Sequence, residues 1–334
     1  MIQKIYRRAA LLLAGGLAAT AAAPAIAKAP KLAPGTFQPM SMPYASMFPR
    51  TKYYEIDSAR AGARYAVWVS VPEVYDKDPS RSFPAVFAPD GNHFVAFSTM
   101  LCELGQWDLI DKYQSTIQVC IGYTGKDADV SLAVRARDLL PPKEPLPPGM
   151  VDAMRNGGAS DLLDKAGVEL YIHNLENPAA DRFLAFISDE LYPFIAKNYR
   201  IQSENLGLFG HSYGGLFTTY AALQPKTIFR NFGASSPGIL PGASTVFKLH
   251  ADAAAAGGLS ERNLHLTVGT RELTVPGLYQ YMVGGGSIEL IRTAGTTPVK
   301  GLNFSSKLME DESHMTLAHP AAFEFMRQYY LARR

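Results

Sequence analysis

Leu206-Gly207-Leu208-Phe209-Gly210-His211-Ser212-Tyr213-Gly214-Gly215 is the stretch of sequence that decides the fold. Its opening residues are apolar or small and indicate a buried strand, whereas the apolar run from Leu216 indicates a helix. Between them lies a Gly-x-Ser-x-Gly pattern, whose glycines permit a sharp turn because they carry no Cβ. The stretch therefore predicts a strand, a tight turn and a helix, with Ser212 raised at the carboxyl end of a sheet.

Strands and helices alternate along most of the chain. The strand predictions are 65–71, 83–88, 115–122, 206–209 and 264–268, and the helix predictions are 181–199, 216–223 and 321–331. Such alternation is typical of an α/β fold with a doubly wound, mostly parallel sheet whose two faces are covered by helices. Residues 123–178 contain two proline pairs and are predicted to be rich in loops.

The first 27 residues have the composition of a cleaved export signal. Lys4, Arg7 and Arg8 form a positive start, and the apolar run 9–23 is shorter than the ~20 residues that span a bilayer. Ala25-Ile26-Ala27 then offers small residues to a signal peptidase. The adjacent arginines favour a twin-arginine route, and the general secretory route stays open. We expect a periplasmic or secreted protein that keeps no membrane anchor after cleavage.

The rest of the chain is predicted to hold a proline-rich, extended lead-in at 28–50 and a single domain at 51–334. Cleavage would remove three of the 32 basic residues, which leaves 29 against 30 acidic ones. A chain so close to neutral gives no reason to expect nucleic acid as a partner. Its two cysteines, Cys102 and Cys120, would form one disulfide or stay as buried thiols. No pattern in the sequence calls for a metal or an organic cofactor.

Ser212 needs partners, because a serine hydroxyl attacks only when a base takes its proton and an acid holds that base. At turns of this kind the acid and then the histidine follow the serine along the chain. His314 lies in a loop between a strand-like stretch and the last helix and is the predicted base, whereas His319 is expected to help start that helix. Glu272 would project from the carboxyl end of the 264–268 strand and is the predicted acid.

Other carboxylates follow the serine as well. They are Asp252, Glu310, Asp311 and Glu312. Asp252 stands in an alanine-rich helical surrounding, and the other three are sequence neighbours of His314 that we expect in solvent.

An attacking serine also requires two N–H donors for the negative charge that develops on the carbonyl oxygen. The backbone of Tyr213 would supply one of them. The loop Asp90-Gly91-Asn92, which follows the 83–88 strand, would supply the other, since Gly91 permits close backbone approach. We therefore predict an oxyanion hole formed by Tyr213, Gly91 and Asn92.

Several further stretches fit one known family in its order along the chain. They are Phe83-Pro84-Ala85-Val86, Asp90-Gly91-Asn92, Ile121-Gly122-Tyr123, Arg135-Ala136-Arg137-Asp138, Gly157-Gly158-Ala159, the helix 183–199, Gly210 to Phe217, Ala234-Ser235-Ser236-Pro237, and Val268-Gly269 with Glu272. Over roughly residues 50–332 the chain resembles the putative-esterase family of α/β-hydrolases, which includes enterochelin and other siderophore esterases and S-formylglutathione hydrolases.

This resemblance implies an α/β-hydrolase fold and hydrolysis of a small-molecule carboxylic ester, of siderophore type or aromatic, through an acyl-enzyme. It implies Ser212 as nucleophile, Glu272 as acid and His314 as base. Within the matching stretches, Asp90, His211 and Arg137 are candidate substrate-binding residues. Two alternatives stay open: an acyltransferase, because mycolyltransferases resemble the same family, and a binding protein of the same fold without catalysis. The oligomeric state stays open too.

The insertion at about residues 139–180 departs from the family, since about twenty residues separate Gly157-Gly158-Ala159 from the next helix. Long segments of this kind in compact domains are usually functional lids or disordered, and low charge disfavours disorder. We predict a cap over Ser212 that favours an apolar or aromatic ester. The alternative is a flap packed away from the site.

Overall fold

A computed structural model of the chain describes residues 34–36, 38–40, 48, 50–105, 107–158 and 161–332. The predicted export signal lies outside the described residues, and so does most of the predicted lead-in. Within the described part of the chain, nine strands form one sheet. They are β1 (Gln38–Met40), β2 (Thr51–Asp57), β3 (Arg64–Ser70), β4 (Phe83–Ala88), β5 (Ile117–Tyr123), β6 (Ile201–His211), β7 (Asn231–Ser235), β8 (Arg262–Gly269) and β9 (Leu302–Met309).

The strands lie in the order β1-β2-β3-β5-β4-β6-β7-β8-β9. The pairs β1–β2, β2–β3 and β3–β5 are antiparallel, and the strands from β5 across to β9 are parallel. Parallel strands need long crossover connections, which here are helical and cover the faces of the sheet. The mostly parallel, α/β-hydrolase architecture that the sequence predicts is confirmed.

The helices are α1 (Gly91–Leu104), α2 (Lys126–Asp129), α3 (Ser131–Leu139), α4 (Met150–Ala153), α5 (Lys165–Glu176), α6 (Ala180–Phe186), α7 (Tyr192–Asn198), α8 (Tyr213–Ala222), α9 (Thr245–Ala255), α10 (Thr270–Thr274), α11 (Gly286–Thr296) and α12 (Ala318–Tyr329). A π-helical stretch, Ile187–Leu191, joins α6 and α7 into one continuous helix. Among the described helices, none is long and apolar enough to cross a membrane.

Both faces of the central strands are buried. Every residue of β4 is buried, with Phe87 in the core on one face and Val86 in the core on the other. Helices α1 and α12 cover the Val86 face, and α3, α6 and α8 cover the Phe87 face. This two-sided burial explains why the strand reads as a continuous apolar run rather than as an alternating one.

The prediction of a loop-rich segment at 123–178 is wrong, because α2, α3, α4 and α5 lie there. In α5 the buried apolar residues Val168, Tyr171, Ile172 and Leu175 follow the spacing of one helix face. The proline pairs that suggested irregular chain are confined to the connection between α3 and α4.

A row of asparagines crosses four neighbouring strands. Asn231 of β7 donates to Oδ1 of Asn205 in β6 at 3.2 Å, and Asn263 of β8 donates to Oδ1 of Asn231 at 2.7 Å. Asn303 of β9 donates to Oδ1 of Asn263 at 3.0 Å. The members on β7, β8 and β9 stand at the amino ends of their strands and are partners in register. These side-chain amides form a ladder parallel to the backbone ladder.

Both cysteines are buried thiols rather than a disulfide, which decides between the two alternatives left open by the sequence. Cys120 of β5 donates to Oγ of Ser98 at 3.2 Å. Burial raises the pKa of Cys120 to about 12, so the group stays a neutral thiol at ordinary pH.

Candidate active site

Ser212 occupies a strained turn between β6 and α8, with φ of 61° and ψ of −120°. A Cβ at Gly210 would lie 2.2 Å from the carbonyl oxygen of Gly214, and one at Gly215 would lie 2.5 Å from that of Ser235. Only glycine fits at these two positions, which is the steric reason for the first and last glycines of the Gly-x-Ser-x-Gly-Gly pattern. The predicted turn is therefore present, and the serine stands at the carboxyl end of the sheet.

The structure brings the three predicted catalytic side chains into one hydrogen-bonded chain. Nε2 of His314 lies 2.9 Å from Oγ of Ser212. Nδ1 of the same imidazole lies 2.7 Å from Oε1 of Glu272. The imidazole and the carboxylate are buried, so water competes little for these contacts.

Two hydrogen-bond donors hold the carboxylate oxygen of Glu272 that does not contact His314. Its Oε2 accepts a hydrogen bond from the backbone N–H of Gly269 at 2.8 Å and from the hydroxyl of Ser236 at 2.7 Å. Ser236 follows β7 and adopts a positive φ of 42°. Sequence reasoning assigned no role to Ser236, although it lies in the stretch 234–237 that resembles the family. Because both of its oxygens form hydrogen bonds, the Glu272 carboxylate is held in one orientation. Its contact with Nδ1 holds the His314 ring in one orientation as well.

The alternative carboxylates lie elsewhere. Glu310, Asp311 and Asp252 are exposed, and Asp252 pairs with Lys248 at 2.5 Å. Glu312 is half-buried, and its backbone carbonyl accepts from the N–H of Arg271 at 3.1 Å.

Two aromatic rings flank the imidazole of His314. The ring of Tyr279 is stacked on it at 4.0 Å between centroids with an interplanar angle of 19°. The ring of His211 lies 4.7 Å from it, and Nδ1 of His211 pairs with Oγ of Ser235 at 2.9 Å. Burial, reinforced by the neighbouring His314 and Arg135, holds the pKa of His211 well below its ordinary value. His211 is therefore a neutral neighbour of the site.

A cavity of about 460 Å³ opens above Ser212. Its lining is mainly apolar and includes Phe94, Leu132, Met150, Tyr171, Met282 and Val283. His319, in the first turn of α12, also lines the cavity and stacks on Phe97 at 4.5 Å. A cavity of this size and character suits a small molecule with an apolar part.

Two helices begin at the site. Tyr213 is the first residue of α8 and Gly91 is the first residue of α1, so their N–H groups have no acceptor within the helix. Such N–H groups, together with the helix dipole, favour a negative charge. The side chain of Asn92 does not belong to this arrangement, because its Nδ2 and Oδ1 bond the backbone of Tyr123 at 3.0 and 2.7 Å.

Of the candidate substrate-binding residues, Asp90 and His211 line the cavity and Arg137 does not. The Arg137 side chain forms a two-pronged ion pair with Asp138, at 2.7 and 2.9 Å. The arginine in the cavity wall is Arg135, which binds Asp90 in the same two-pronged way at 2.8 and 2.7 Å. The structure therefore places Arg135, rather than the predicted Arg137, in the cavity wall.

The insertion contributes to the cavity wall through Met150 of α4 and Tyr171 of α5. The hydroxyl of Tyr171 donates to that of Tyr213 at 3.1 Å, which links α5 to the residue after Ser212. Among the described residues, no group of three or more His, Cys, Asp or Glu side chains could hold a metal ion.

Comparison with known proteins agrees with the fold. The family model described as "Putative esterase" matches residues 58–271, and the chain belongs to this family. The match contains Ser212 and ends one residue before Glu272.

Two curated proteins are similar in sequence to this chain. The ferri-bacillibactin esterase BesA of Bacillus subtilis is 25% identical over 199 residues, which are 58% of this chain and 61% of BesA. The siderophore enterobactin esterase of Emericella nidulans is 28% identical over 181 residues, which are 52% of this chain and 54% of that protein. The chain thus matches little more than half the length of these relatives.

A solved structure shows the same fold. The siderophore hydrolase EstA from Aspergillus nidulans superimposes with a TM-score of 0.67 at 23% identity, covering 88% of this chain and 98% of EstA.

Proposed function

We propose that the chain is a serine hydrolase that cleaves carboxylic esters through an acyl-enzyme. The observation that carries this proposal is the buried chain of hydrogen bonds from Ser212 through His314 to Glu272, at 2.9 and 2.7 Å. Membership of an esterase family supports the same reaction class.

In the first step, Nε2 of His314 takes the proton of the Ser212 hydroxyl while Oγ attacks the ester carbonyl. Glu272 accepts the Nδ1–H bond and stabilises the imidazolium that forms. The proton then passes from Nε2 to the leaving alcohol, and the acyl group stays on Oγ. In the second step His314 activates a water molecule, which releases the acid and restores Ser212.

The negative charge on the carbonyl oxygen requires donors at fixed positions. We assign this role to the backbone N–H groups of Tyr213 and Gly91, the first residues of α8 and α1. The side chain of Asn92 holds the end of β5 at Tyr123, whereas its backbone N–H, also in the first turn of α1, stays a predicted donor. An oxyanion-hole donor of this kind contributes about 3–4 kcal/mol to transition-state stabilisation.

For the substrate, we propose an ester with an apolar or aromatic part, of the siderophore type that the names of the relatives give. The apolar cavity wall and the contribution of Met150 and Tyr171 from the insertion support this proposal and the capping role of that segment.

A fluorophosphonate probe tests the proposal, since it labels a serine only when the serine is activated. We expect one label per chain on Ser212 in folded protein and no label on the Ser212→Ala variant. Absence of label on the folded wild type would favour a binding protein without catalysis. Hydrolysis of an aryl ester with and without an added alcohol then separates a hydrolase from an acyltransferase, because a transferase passes the acyl group to the alcohol.

We further propose that the protein works in the periplasm or outside the cell after loss of residues 1–27. The positive start, the short apolar run and Ala25-Ile26-Ala27 support this location.

A further inference from the structure

The ring of Tyr279 lies flat on the imidazole of His314, although the tyrosine is half-exposed. The two rings are nearly parallel, at 19°, and their centroids are 4.0 Å apart. His314 is 5% exposed, whereas Tyr279 is 50% exposed. Pairs of neutral aromatic rings usually keep their centroids about 4.5–7 Å apart and meet edge to face or offset. A closer, face-to-face contact is the arrangement in which a ring attracts a cation.

Tyr279 is held by the same short helix that carries Glu272. It immediately precedes a π-helical stretch, Gln280–Gly285. The first side chain of this stretch donates to the backbone carbonyl of Leu273 in α10 at 3.0 Å. A Cβ at Gly284 would collide with the backbone carbonyl of Glu272, so the stretch packs directly on α10. The acid and the tyrosine ring therefore reach the imidazole from one connected unit.

In the proposed reaction the imidazole carries a positive charge only while it holds the serine proton. In that step the O–H bond of Ser212 breaks and an N–H bond forms at Nε2 of His314, and the proton then passes to the leaving alcohol. Burial raises the pKa of Tyr279, so its phenol stays neutral at ordinary pH. The face of a neutral phenol ring is negative and attracts a cation that lies against it.

We propose that Tyr279 is a positioning residue: its ring holds the His314 imidazole against an electron-rich face and stabilises the imidazolium that forms there. This inference rests on the proposed function. Because the imidazolium gains more from the ring than the neutral imidazole does, the stacking favours the transition state over the ground state. In the free enzyme the same preference favours protonation of His314, compared with an enzyme that lacks the ring.

The other ionisable groups around the imidazole are left in place by a substitution at Tyr279. Glu272 contacts Nδ1, and the neutral His211 lies 4.7 Å away between ring centroids. Further groups on other elements line the same cavity: Asp90, His93, Arg135, Tyr171, Tyr213 and His319. A difference in the protonation of His314 between variants at position 279 therefore reports on the ring at that position.

Three variants separate the ring from its bulk and from its hydroxyl. Tyr279→Phe keeps the ring and removes the hydroxyl. Tyr279→Leu keeps an apolar side chain but has no aromatic face. Tyr281→Leu is the matched control, because Tyr281 is also 50% exposed, stands two residues away and does not line the cavity. Thermal denaturation shows whether each variant is folded at the assay temperature.

The first measurement needs no ester. Nitrogen-15 NMR of histidine-labelled protein follows the protonation of His314, whose signal is identified by its absence in His314→Gln. For Tyr279→Leu we expect half protonation at a pH lower by about half a unit or more than in the wild type. Tyr281→Leu should lie within about 0.2 pH units of the wild type, and Tyr279→Phe should lie closer to the wild type than to Tyr279→Leu.

The second measurement is steady-state hydrolysis of p-nitrophenyl butyrate by the full-length variants. For Tyr279→Leu we expect the plateau value of kcat to fall about threefold or more, and the acid limb of kcat/KM to move to lower pH by about the same half unit. Tyr279→Phe should retain most of the kcat that Tyr279→Leu loses, and Tyr281→Leu should keep kcat within about twofold.

A third set of variants keeps the shape of the ring and changes only its charge distribution. Phenylalanine with one, two or three ring fluorines is placed at position 279. Each fluorine weakens the negative face, so kcat and the pH of half protonation should both fall as fluorines are added. This series tests the inference even if Tyr279→Leu does not fold.

Two results would overturn the inference while leaving the esterase proposal intact. One is half protonation of His314 at the same pH in folded Tyr279→Leu and in the wild type. The other is a kcat that does not depend on the number of fluorines, which would mean that the ring only packs against the imidazole. A wild type that cleaves no ester and takes no fluorophosphonate label would instead overturn the proposed function, and the catalytic part of this inference with it.

Discussion

Replacing Glu272 by glutamine exchanges one carboxylate oxygen for an NH₂ group. The structure determines which of the two oxygens is exchanged. Oε2 lies between two donors, the N–H of Gly269 at 2.8 Å and the hydroxyl of Ser236 at 2.7 Å. A backbone N–H cannot reverse its role, so the amide oxygen of glutamine must occupy this position. The amide NH₂ then faces Nδ1 of His314, at the position where Oε1 accepts at 2.7 Å.

An NH₂ group at that position forces Nδ1 to accept, and the ring proton moves to Nε2. Nε2 faces Ser212 and, once protonated, cannot take the hydroxyl proton. Loss of the correct tautomer in a triad lowers kcat by about 10⁴, or about 5.4 kcal/mol. We therefore expect Glu272→Gln to fold like the wild type, with KM little changed and kcat reduced by about that factor.

The assay is release of p-nitrophenol from a short-chain ester, with thermal denaturation as the check on folding. Glu312→Gln is the matched control, because it makes the same chemical change two residues from His314, and it should cost less than about threefold. A Glu272→Gln variant that kept more than about a hundredth of the wild-type kcat would refute the tautomer reasoning. A large loss of kcat in the Glu312→Gln variant would indicate that the acid is a sequence neighbour of His314.

Three further changes test other parts of the molecule. Tyr171→Ala removes a side chain from the cavity wall, so the preference for a bulky aromatic ester over an acetyl ester should rise about tenfold in kcat/KM; a parallel fall of both rates would mean that Tyr171 only supports the fold. Burial lowers the pKa of His250 in the native state, so the unfolded chain binds more protons and stability declines as the pH falls through about 6.5. His250→Leu should therefore lose less thermal stability than the wild type between pH 7 and pH 5, and identical pH profiles would exclude this contribution. Arg7→Lys with Arg8→Lys should leave precursor inside the cell, whereas the wild type is recovered by cell fractionation and mass spectrometry with Lys28 as its first residue; normal export of the variant would indicate the general secretory route.

The strands that local spacing predicts best are those whose burial is complete. β4 was predictable to the residue, because it is apolar on both faces and ends at Pro89. β9 was predicted only as a strand-like stretch before His314, without bounds, because it is the edge strand and half of its residues face solvent. α1 was missed because Asp90-Gly91-Asn92 signals a turn, and here the turn leads straight into the helix.

The same contrast applies to the site. Features set by neighbouring residues could be predicted, whereas contacts made by distant residues could not. Ser212 stands in a pattern that sterics impose on its own neighbours, so its position was readable from the sequence. Tyr279 reaches the imidazole of His314 from another connection, and no spacing in the sequence encodes that contact. Arg135 and Arg137 differ by two positions on a helix, which is about 200° of rotation, so they face nearly opposite directions and only the packed structure distinguishes them.

The asparagine ladder affects how precisely the residues beyond the carboxyl end of the sheet are placed. Beyond their carboxyl ends, the strands that carry Asn231, Asn263 and Asn303 continue into Ser236, Glu272 and His314 respectively. A slip of one residue in a strand would shift its carboxyl end by about 3.3 Å and reverse its faces, whereas the hydrogen bonds of the site tolerate a few tenths of an ångström. Across β7, β8 and β9 the bonded amides belong to residues that are partners in register. The ladder thus fixes the alignment of β7, β8 and β9 at their amino ends, and with it the placement of Ser236, Glu272 and His314 beyond their carboxyl ends.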